Sequence, residues 1–461
     1  MVTLSSLNTP RPDLRVIIIG AGTGGLCLAH GLKRAGIDVA VFERDRTRTD
    51  GLQGYRVGID ADGSRALHAC LPPEVFAIFL ATCARPPRHF NLVTERLDEL
   101  LSLDIPLDTD PVTSEKSVSR MTLRQVLLTG LDDVVHFDKT FSHYAQHPDG
   151  TVTAWFTDGS SATADLLVGA DGTNSPVRRQ YLPHARLRDS GIIGIAGKIP
   201  LTGANRRLLP EKIFQGVTMV LAQRGFFSII HVMEFPWRDS APPLAAARSD
   251  RAMLERWPGL QFDNTRDYLM WGMGGAARNL PADTLHLRGE PLLQVARDAT
   301  RAWSPTFREL QRQTDPSTCF PINIRTSEQP EAWPASNVTL IGDAIHTMTP
   351  GRGVGANTAL RDAALLCQQI VAARDGDADL ISGVAAYEAE MRAYAFAAVE
   401  KSLEQMDGRA LVHRPVVGRA VTELSRAGLR VVNHLPPLKK RLAASLQEER
   451  GATRGRDVRA A

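Results

Sequence analysis

Gly20, Gly22 and Gly25 follow the apolar run Val16-Ile17-Ile18-Ile19 directly, at a spacing suited to holding a pyrophosphate. One glycine makes a tight turn, one lets backbone N–H groups approach the phosphates, and one lets the next helix pack closely on the strand. Glu43 closes the following apolar run, Val39-Ala40-Val41-Phe42, where a carboxylate accepts hydrogen bonds from an adenosine ribose, and Arg44 stands beside it. Two later turns also place an aspartate at the end of an apolar run. These are Gly169-Ala170-Asp171-Gly172 after Leu166-Leu167-Val168, and Gly342-Asp343 after Val338-Thr339-Leu340-Ile341. Either of these could separately be a capped turn. The glycine turn and Glu43 point to a dinucleotide, and by themselves they leave FAD and NAD both open.

The elements that must position these residues are legible around them. Leu26, Ala29 and Leu32 read as one side of a helix that ends at Gly36, so the opening is strand, helix, strand. β-branched runs without alternation suit strands buried on both faces of a parallel sheet, and ligands of such sheets bind at the carboxyl ends of the strands. Residues 183–280 read differently. They hold alternating apolar segments such as Gly191-Ile192-Ile193-Gly194-Ile195-Ala196-Gly197, as expected of a mostly antiparallel sheet. Within it Phe227, Ile229, His231 and Met233 would share one face, a candidate lining of the substrate pocket, with a core or sheet-surface role as the competing reading. The segment Tyr268-Leu269-Met270-Trp271-Gly272-Met273-Gly274 offers Trp271 and Met273 as a second wall suited to a large planar molecule, with a plain core role as the competing reading. The pattern of part of 70–115, broken by Pro72-Pro73 and Pro86-Pro87, permits it to contribute to this sheet, and 384–406 reads as a helix.

Composition bounds the function class. The 461 residues are 43% hydrophobic and 23% charged, an ordinary globular mix with room for two to three domains at about 150 residues each. A net charge of +3 is too small for a nucleic-acid footprint, so no nucleic-acid partner is expected. Five cysteines without a C-x-x-C give neither a disulfide framework nor a metal site. No run of about 18 apolar residues suggests a membrane span, and the expectation is a cytoplasmic protein, monomer or homodimer. From Pro436-Pro437 the chain reads as a short helix with a basic, frayed tail.

Taken in this order and spacing, the three fingerprints resemble the single-component FAD monooxygenases, the flavoprotein aromatic hydroxylases related to p-hydroxybenzoate hydroxylase. They are Gly20-x-Gly22-x-x-Gly25 with Glu43, Gly169-Ala170-Asp171-Gly172, and Gly342-Asp343 with Pro350-x-x-Gly353-x-Gly355-x-Asn357. Ser119-Arg120-x-x-Leu123-Arg124 is similar to the family's arginine-bearing helix start. The resemblance covers roughly 14–400. It implies an α/β fold: a Rossmann-like FAD-binding domain of the GR2 flavoprotein type, an inserted mostly antiparallel substrate sheet, and C-terminal helices. The implied layout is 1–182 and 281–375 for the interrupted FAD domain, 183–280 for the substrate sheet, and 376–461 for the terminal helices and tail.

Residue by residue, the resemblance implies that Glu43 holds the ribose, Arg120 lies along the pyrophosphate or ribityl chain, and Asp171 sits near the pyrophosphate and the route of the reductant. Asp343 should bond the ribityl hydroxyls. The loop with Pro350, Gly353, Val354, Gly355 and Asn357 should pass beside the isoalloxazine, whose reduced form carries charge that helix N-terminal N–H groups stabilise. Arg56 is a flavin-contact candidate or a surface arginine. Val354 and Arg352 depart from the usual loop, and His346 reads as a histidine packed in its turn rather than as an acid or base.

Family members reduce FAD with NADPH or NADH, react it with O2 to a flavin C4a-hydroperoxide, and transfer one oxygen to an aromatic or polycyclic substrate. No protein nucleophile or metal is expected. Olefin epoxidation or Baeyer–Villiger oxidation stays open as the same chemistry on another carbon, and a non-catalytic binder on this fold is the remote alternative.

Overall fold

The computed structural model describes residues 11–50, 54–236 and 266–449. The stretch of the expected substrate sheet at 237–265 and the tail beyond 449 lie outside the described residues.

Arg15–Ile19 is the middle strand of a five-stranded parallel sheet, with Asp38–Phe42 on one side and Leu166–Gly169 on the other. Val135–His136 and Val338–Leu340 form its edges. Val16 to Ile19 are all buried, as a run without alternation requires of a strand covered on both faces. The Thr23–Arg34 helix covers one face and is itself packed against Gly355–Asp375. Backbone bonds extend the ladder past the strand ends: Gly20 N donates to Phe42 O at 2.8 Å, Ala170 N to Ile19 O at 2.8 Å, and Ile341 N to Gly169 O at 2.9 Å. Three turns that are distant in sequence therefore share one edge in fixed register.

A second sheet of seven strands runs in the order Phe320–Ser327, Leu187–Pro200, Tyr268–Ala276, Phe227–Met233, Gly216–Leu221, His89–Val93, Glu99–Asp104. Every neighbouring pair is antiparallel except Gly216–Leu221 with His89–Val93. Two of its strands come from 89–104, and a third comes from beyond residue 280. The segment 281–375 is thus not flavin domain throughout. It first lays the helices Gly289–Ala299 and Pro305–Arg312 on the back of this sheet and adds the Phe320–Ser327 edge, and only then returns to the parallel sheet at Val338–Leu340. Alternation marks a strand but does not name its partner, which is why the sequence placed this boundary too early.

The two faces of the seven-stranded sheet differ. On the back, Ile195, Val220, Ile230, Leu269, Trp271 and Met273 form one core with Leu292, Leu293, Phe307 and Leu310 of the two helices. On the front, Ala196, Met233 and Tyr268 pack with Tyr55 and Ala84, which flank the two-stranded antiparallel sheet of Arg56–Ile59 and Lys116–Ser119. The Val417–His434 helix lies along the Glu99–Asp104 edge, where Asn433 Oδ1 accepts from Ser102 N at 3.2 Å, covering an otherwise open strand. Among the described residues no helix is long and apolar enough to cross a membrane.

Candidate cofactor and substrate site

Gly20 has φ +109°, and a Cβ there would stand 2.5 Å from Ala170 O, so the first two turns interlock through glycine. At Gly25 a Cβ would stand 2.3 Å from Gly20 O, which is how closely the helix meets its strand. Gly22 is different: only Ala170 O comes within 4 Å, at 3.9 Å, so space is open in front of the turn. Buried Glu43 accepts from Ala21 N at 2.7 Å and from Asp45 N at 3.0 Å, bracing the glycine turn from the neighbouring strand. Arg124 reaches the same corner, 2.8 Å from Asp45 and 3.8 Å from Glu43, while Arg44 is exposed.

Ser119 caps the Arg120–Leu128 helix, and Arg120 N donates to Tyr55 O at 2.8 Å. The Arg120 side chain is exposed, runs past Gly54, and its charge acts on Asp343. Asp343 is open to solvent although protein crowds it on most sides. That crowding pushes its carboxyl up; the charges of His346 and Arg120 pull it back, and Asp362 adds to the rise. Asp171 accepts from Val177 N at 3.2 Å through Oδ2, and burial raises its carboxyl as well. Its Oδ1 is buried without a partner among the described residues.

Sequence reasoning passed over Arg178, which ties these turns together. It is buried, and its guanidinium donates to Ala344 O at 2.7 Å and Thr173 O at 2.9 Å. The available signal was its place in the helix that starts after the Gly-Ala-Asp-Gly turn. His346 lies fully buried in its turn, with Nε2 2.6 Å from Asp362 Oδ2.

Pro350–Arg352 is a single 3-10 turn, and Gly353 after it has φ +65° with nothing within 4 Å of a Cβ position, so the loop tip is open and suited to glycine. Val354 precedes the Gly355–Asp375 helix. Asn357 is held by backbone: Oδ1 accepts from Asp60 N at 3.1 Å, and Nδ2 donates to Gly58 O at 2.9 Å. Its side chain thereby joins the loop to the Arg56–Ile59 strand. On that strand Arg56 donates to Ser117 Oγ at 3.0 Å and is partly buried.

The arrangement fits FAD. The glycine turn leaves open backbone where a pyrophosphate would lie, Glu43 stands as an acid at the end of the neighbouring strand, Asp343 is exposed at the end of a third strand, and Asp171 Oδ1 has no donor among the described residues.

The sheet face opposite is decided by strand parity. Phe227, Ile229, His231 and Met233 do share a face, the front one, and the register sets His231 beside Met270 and Met270 beside Lys198. Trp271 and Met273 do not belong to it, which corrects the expected second wall. Both are buried on the back, where Trp271 Nε1 donates to Thr314 Oγ1 at 2.8 Å and the ring meets Phe307 edge-on at 6.4 Å. Successive strand residues alternate, so the front of this strand is Tyr268, Met270, Gly272 and Gly274. The glycines were the missed signal, since the neighbouring strand fills the space they leave: a Cβ on Gly274 would stand 2.4 Å from the Phe227 ring and one on Gly272 3.3 Å from Ile229. Tyr55 was missed too. Its ring lies 6.3 Å from Tyr268 and 5.5 Å from Phe320, and Lys198 Nζ sits 4.2 Å above the Tyr268 ring.

A family model described as an FAD binding domain matches residues 13–57 and 294–402. The chain is 31% identical over 373 residues to the FAD-dependent monooxygenase dbaB of Emericella nidulans, covering 78% of this chain and 88% of that protein. It is 32% identical over 413 residues to the dual O-methyltransferase/FAD-dependent monooxygenase CTB3 of Cercospora beticola, covering 85% of this chain and 46% of that protein. The chain spans about half the length of the first curated relatives it matches. Among solved structures, HpxO of Klebsiella pneumoniae, complexed with FAD and uric acid, has the same fold: TM-score 0.73 at 23% identity, over 97% of this chain and 99% of that one.

Proposed function

Since the chain belongs to the FAD-dependent monooxygenases, we propose that it uses FAD with NADPH or NADH and O2 to place one oxygen atom into an aromatic or polycyclic small molecule. The observation that carries this reading is the meeting of two surfaces. On the flavin half, Gly22 and Gly353 leave open space and Asp343 is exposed, and Tyr55 ties that half to the front of the seven-stranded sheet. Tyr55 O accepts from Arg120 N on the flavin side, and Tyr55 packs with Tyr268 and Phe320 on the sheet side. At the other end Ser327 N donates to Thr347 O at 2.8 Å, and Gly351 lies against Met406.

FAD, when bound, supplies the electron transfer and the activation of dioxygen. The chain supplies the rest. Backbone N–H groups around Gly20 to Gly25 hold the pyrophosphate, and Glu43 holds the ribose. Asp171 and Arg120 flank the phosphates and the chain that leaves them. Asp343 accepts from the ribityl hydroxyls, which requires its carboxylate form, and the charges of His346 and Arg120 favour that form against burial. Val354 and Gly355 bring backbone N–H groups to the ring from the end of the turn that Pro350 starts and Gly353 closes, Gly353 N donating to Pro350 O at 3.0 Å, with Asn357 holding the loop against the Arg56–Ile59 strand. Phe227, Ile229, His231, Met233 and Met270 form the apolar wall that orients the substrate and excludes water.

The test is the visible spectrum of the purified protein reconstituted with FAD, followed anaerobically on adding NADPH or NADH with and without a panel of hydroxylated and polycyclic aromatics. Flavin bands that bleach fast only with a particular aromatic support the reading. A protein that takes up no FAD refutes it.

A further inference from the structure

His231 is 2% exposed and sits in the middle of the substrate-side face, in one row with Met270 and Lys198. Its Nδ1 lies 3.2 Å from Gly216 O. A carbonyl oxygen only accepts, so Nδ1 carries the proton and Nε2 presents its lone pair. Nε2 is sealed from solvent and has no partner among the described residues. Burial, with the positive charge of Arg56 added, holds the ring in its neutral form, so that lone pair stays an acceptor.

His231 is one of the residues lining a recess of about 160 Å3, together with Phe214, Gln215, Val232 and Glu234. A strap over 85–88 lines one side of it, pinned by Arg85 N to Glu234 O at 2.7 Å and by Arg88 N to Gln215 O at 2.8 Å. Met270, partly exposed, stands beside His231 in the same row and gives it an apolar neighbour. A buried acceptor left unpaired is costly, and the group that relieves it must donate. A cation is disfavoured beside Arg56, and a carboxylate or an ether oxygen offers no proton. A neutral donor remains, and on an oxygen-bearing aromatic that donor is a free hydroxyl.

We propose that His231 is a specificity-determining residue, its Nε2 accepting a hydrogen bond from a free hydroxyl of the substrate, so that the site discriminates against the same ring when that oxygen is methylated. This rests on the reading of the front sheet face as the substrate wall of an FAD enzyme. No covalent step is involved: the imidazole orients the ring through that oxygen and keeps its own proton on Nδ1.

The experiment uses the FAD-reconstituted protein and reads the shift of the flavin visible bands on titration with 2-naphthol and with 2-methoxynaphthalene. The expected result is about 10- to 100-fold tighter binding of the naphthol by the unaltered protein. His231→Phe should erase that preference, and His231→Gln, which keeps an acceptor oxygen, should retain part of it. The comparison of the two probes on the unaltered protein stands even where a variant folds poorly. Equal binding of the two probes overturns the proposal, as does a preference that survives in His231→Phe or a lack of response to the naphthol. A protein showing no flavin bands before any probe is added overturns the cofactor reading, and this inference with it.

Discussion

Asp362 Oδ2 lies 2.6 Å from His346 Nε2, with both side chains wholly shut off from solvent. The same oxygen accepts from Gly342 N at 2.8 Å, and Oδ1 accepts from Tyr394 Oη at 2.5 Å. One carboxylate thus pins both ends of the short turn that carries Asp343. Burial alone would lower the His346 pKa, but the charge and hydrogen bond of Asp362, with the charge of Asp343, outweigh it and the net shift is upward. A histidine raised in the folded state contributes stability that is fully present below its ordinary value near 6.5 and is lost as pH rises through the folded value.

Asp362→Asn should therefore lower the urea midpoint most at about pH 6, with the difference shrinking in alkali. Removing one partner of a buried pair typically costs about 3–5 kcal/mol. A penalty independent of pH would separate the turn's stability from the charge on His346.

Glu388 titrates in the opposite sense to an ordinary surface acid. Burial pushes its carboxyl up to about 7, although Thr339 Oγ1 donates to it at 2.8 Å. A raised acid favours the neutral form in the fold, so its contribution is present at low pH and is lost as pH rises through about 7. Glu388→Gln should match the unaltered protein near pH 4 and exceed it at pH 8, by up to about 3 kcal/mol at 1.36 kcal/mol per unit. Thermal melts at the two pH values check this.

The glycines of the first turn should separate binding from folding. Gly25→Ala places a Cβ against Gly20 O and should lower the melting temperature before any question of cofactor arises. Gly22→Val meets little protein and should fold as an apoprotein that takes up no FAD, as circular dichroism and the flavin spectrum of the same sample would report.

Asp343→Ala should weaken FAD retention by about 1–3 kcal/mol through loss of an acceptor for a ribityl hydroxyl. Unchanged flavin occupancy after gel filtration would remove Asp343 from the site.

Parity on the Tyr268–Ala276 strand gives a paired test. Trp271→Ala should cost about 3–5 kcal/mol of stability, because the indole fills the back core and bonds Thr314. Met270→Ala, one residue away on the front, should leave the urea midpoint little changed and alter the affinity for aromatic ligands instead.

The sequence by itself determined the parts whose physics is local. A β-branched run entering Gly20-x-Gly22-x-x-Gly25 has few ways to fold, and Gly342 with Asp343 or Gly169 with Asp171 announces the end of a buried strand in the same way. Each turn is specified within a dozen residues by backbone sterics and apolar pattern. Only the tertiary structure decided what depends on pairing. It brought Glu43, Asp171 and Asp343 to one edge through backbone bonds between strands more than a hundred residues apart in places. It assigned Phe320–Ser327 to the seven-stranded sheet, and it made Asn357 a staple to the Arg56–Ile59 strand. It also chose which face of Tyr268–Ala276 looks toward the site, putting Met270 in front and Trp271 behind. Alternation in a strand has period two and no sign, so a sequence states that neighbours part company but leaves to the packed partner which of them meets the substrate.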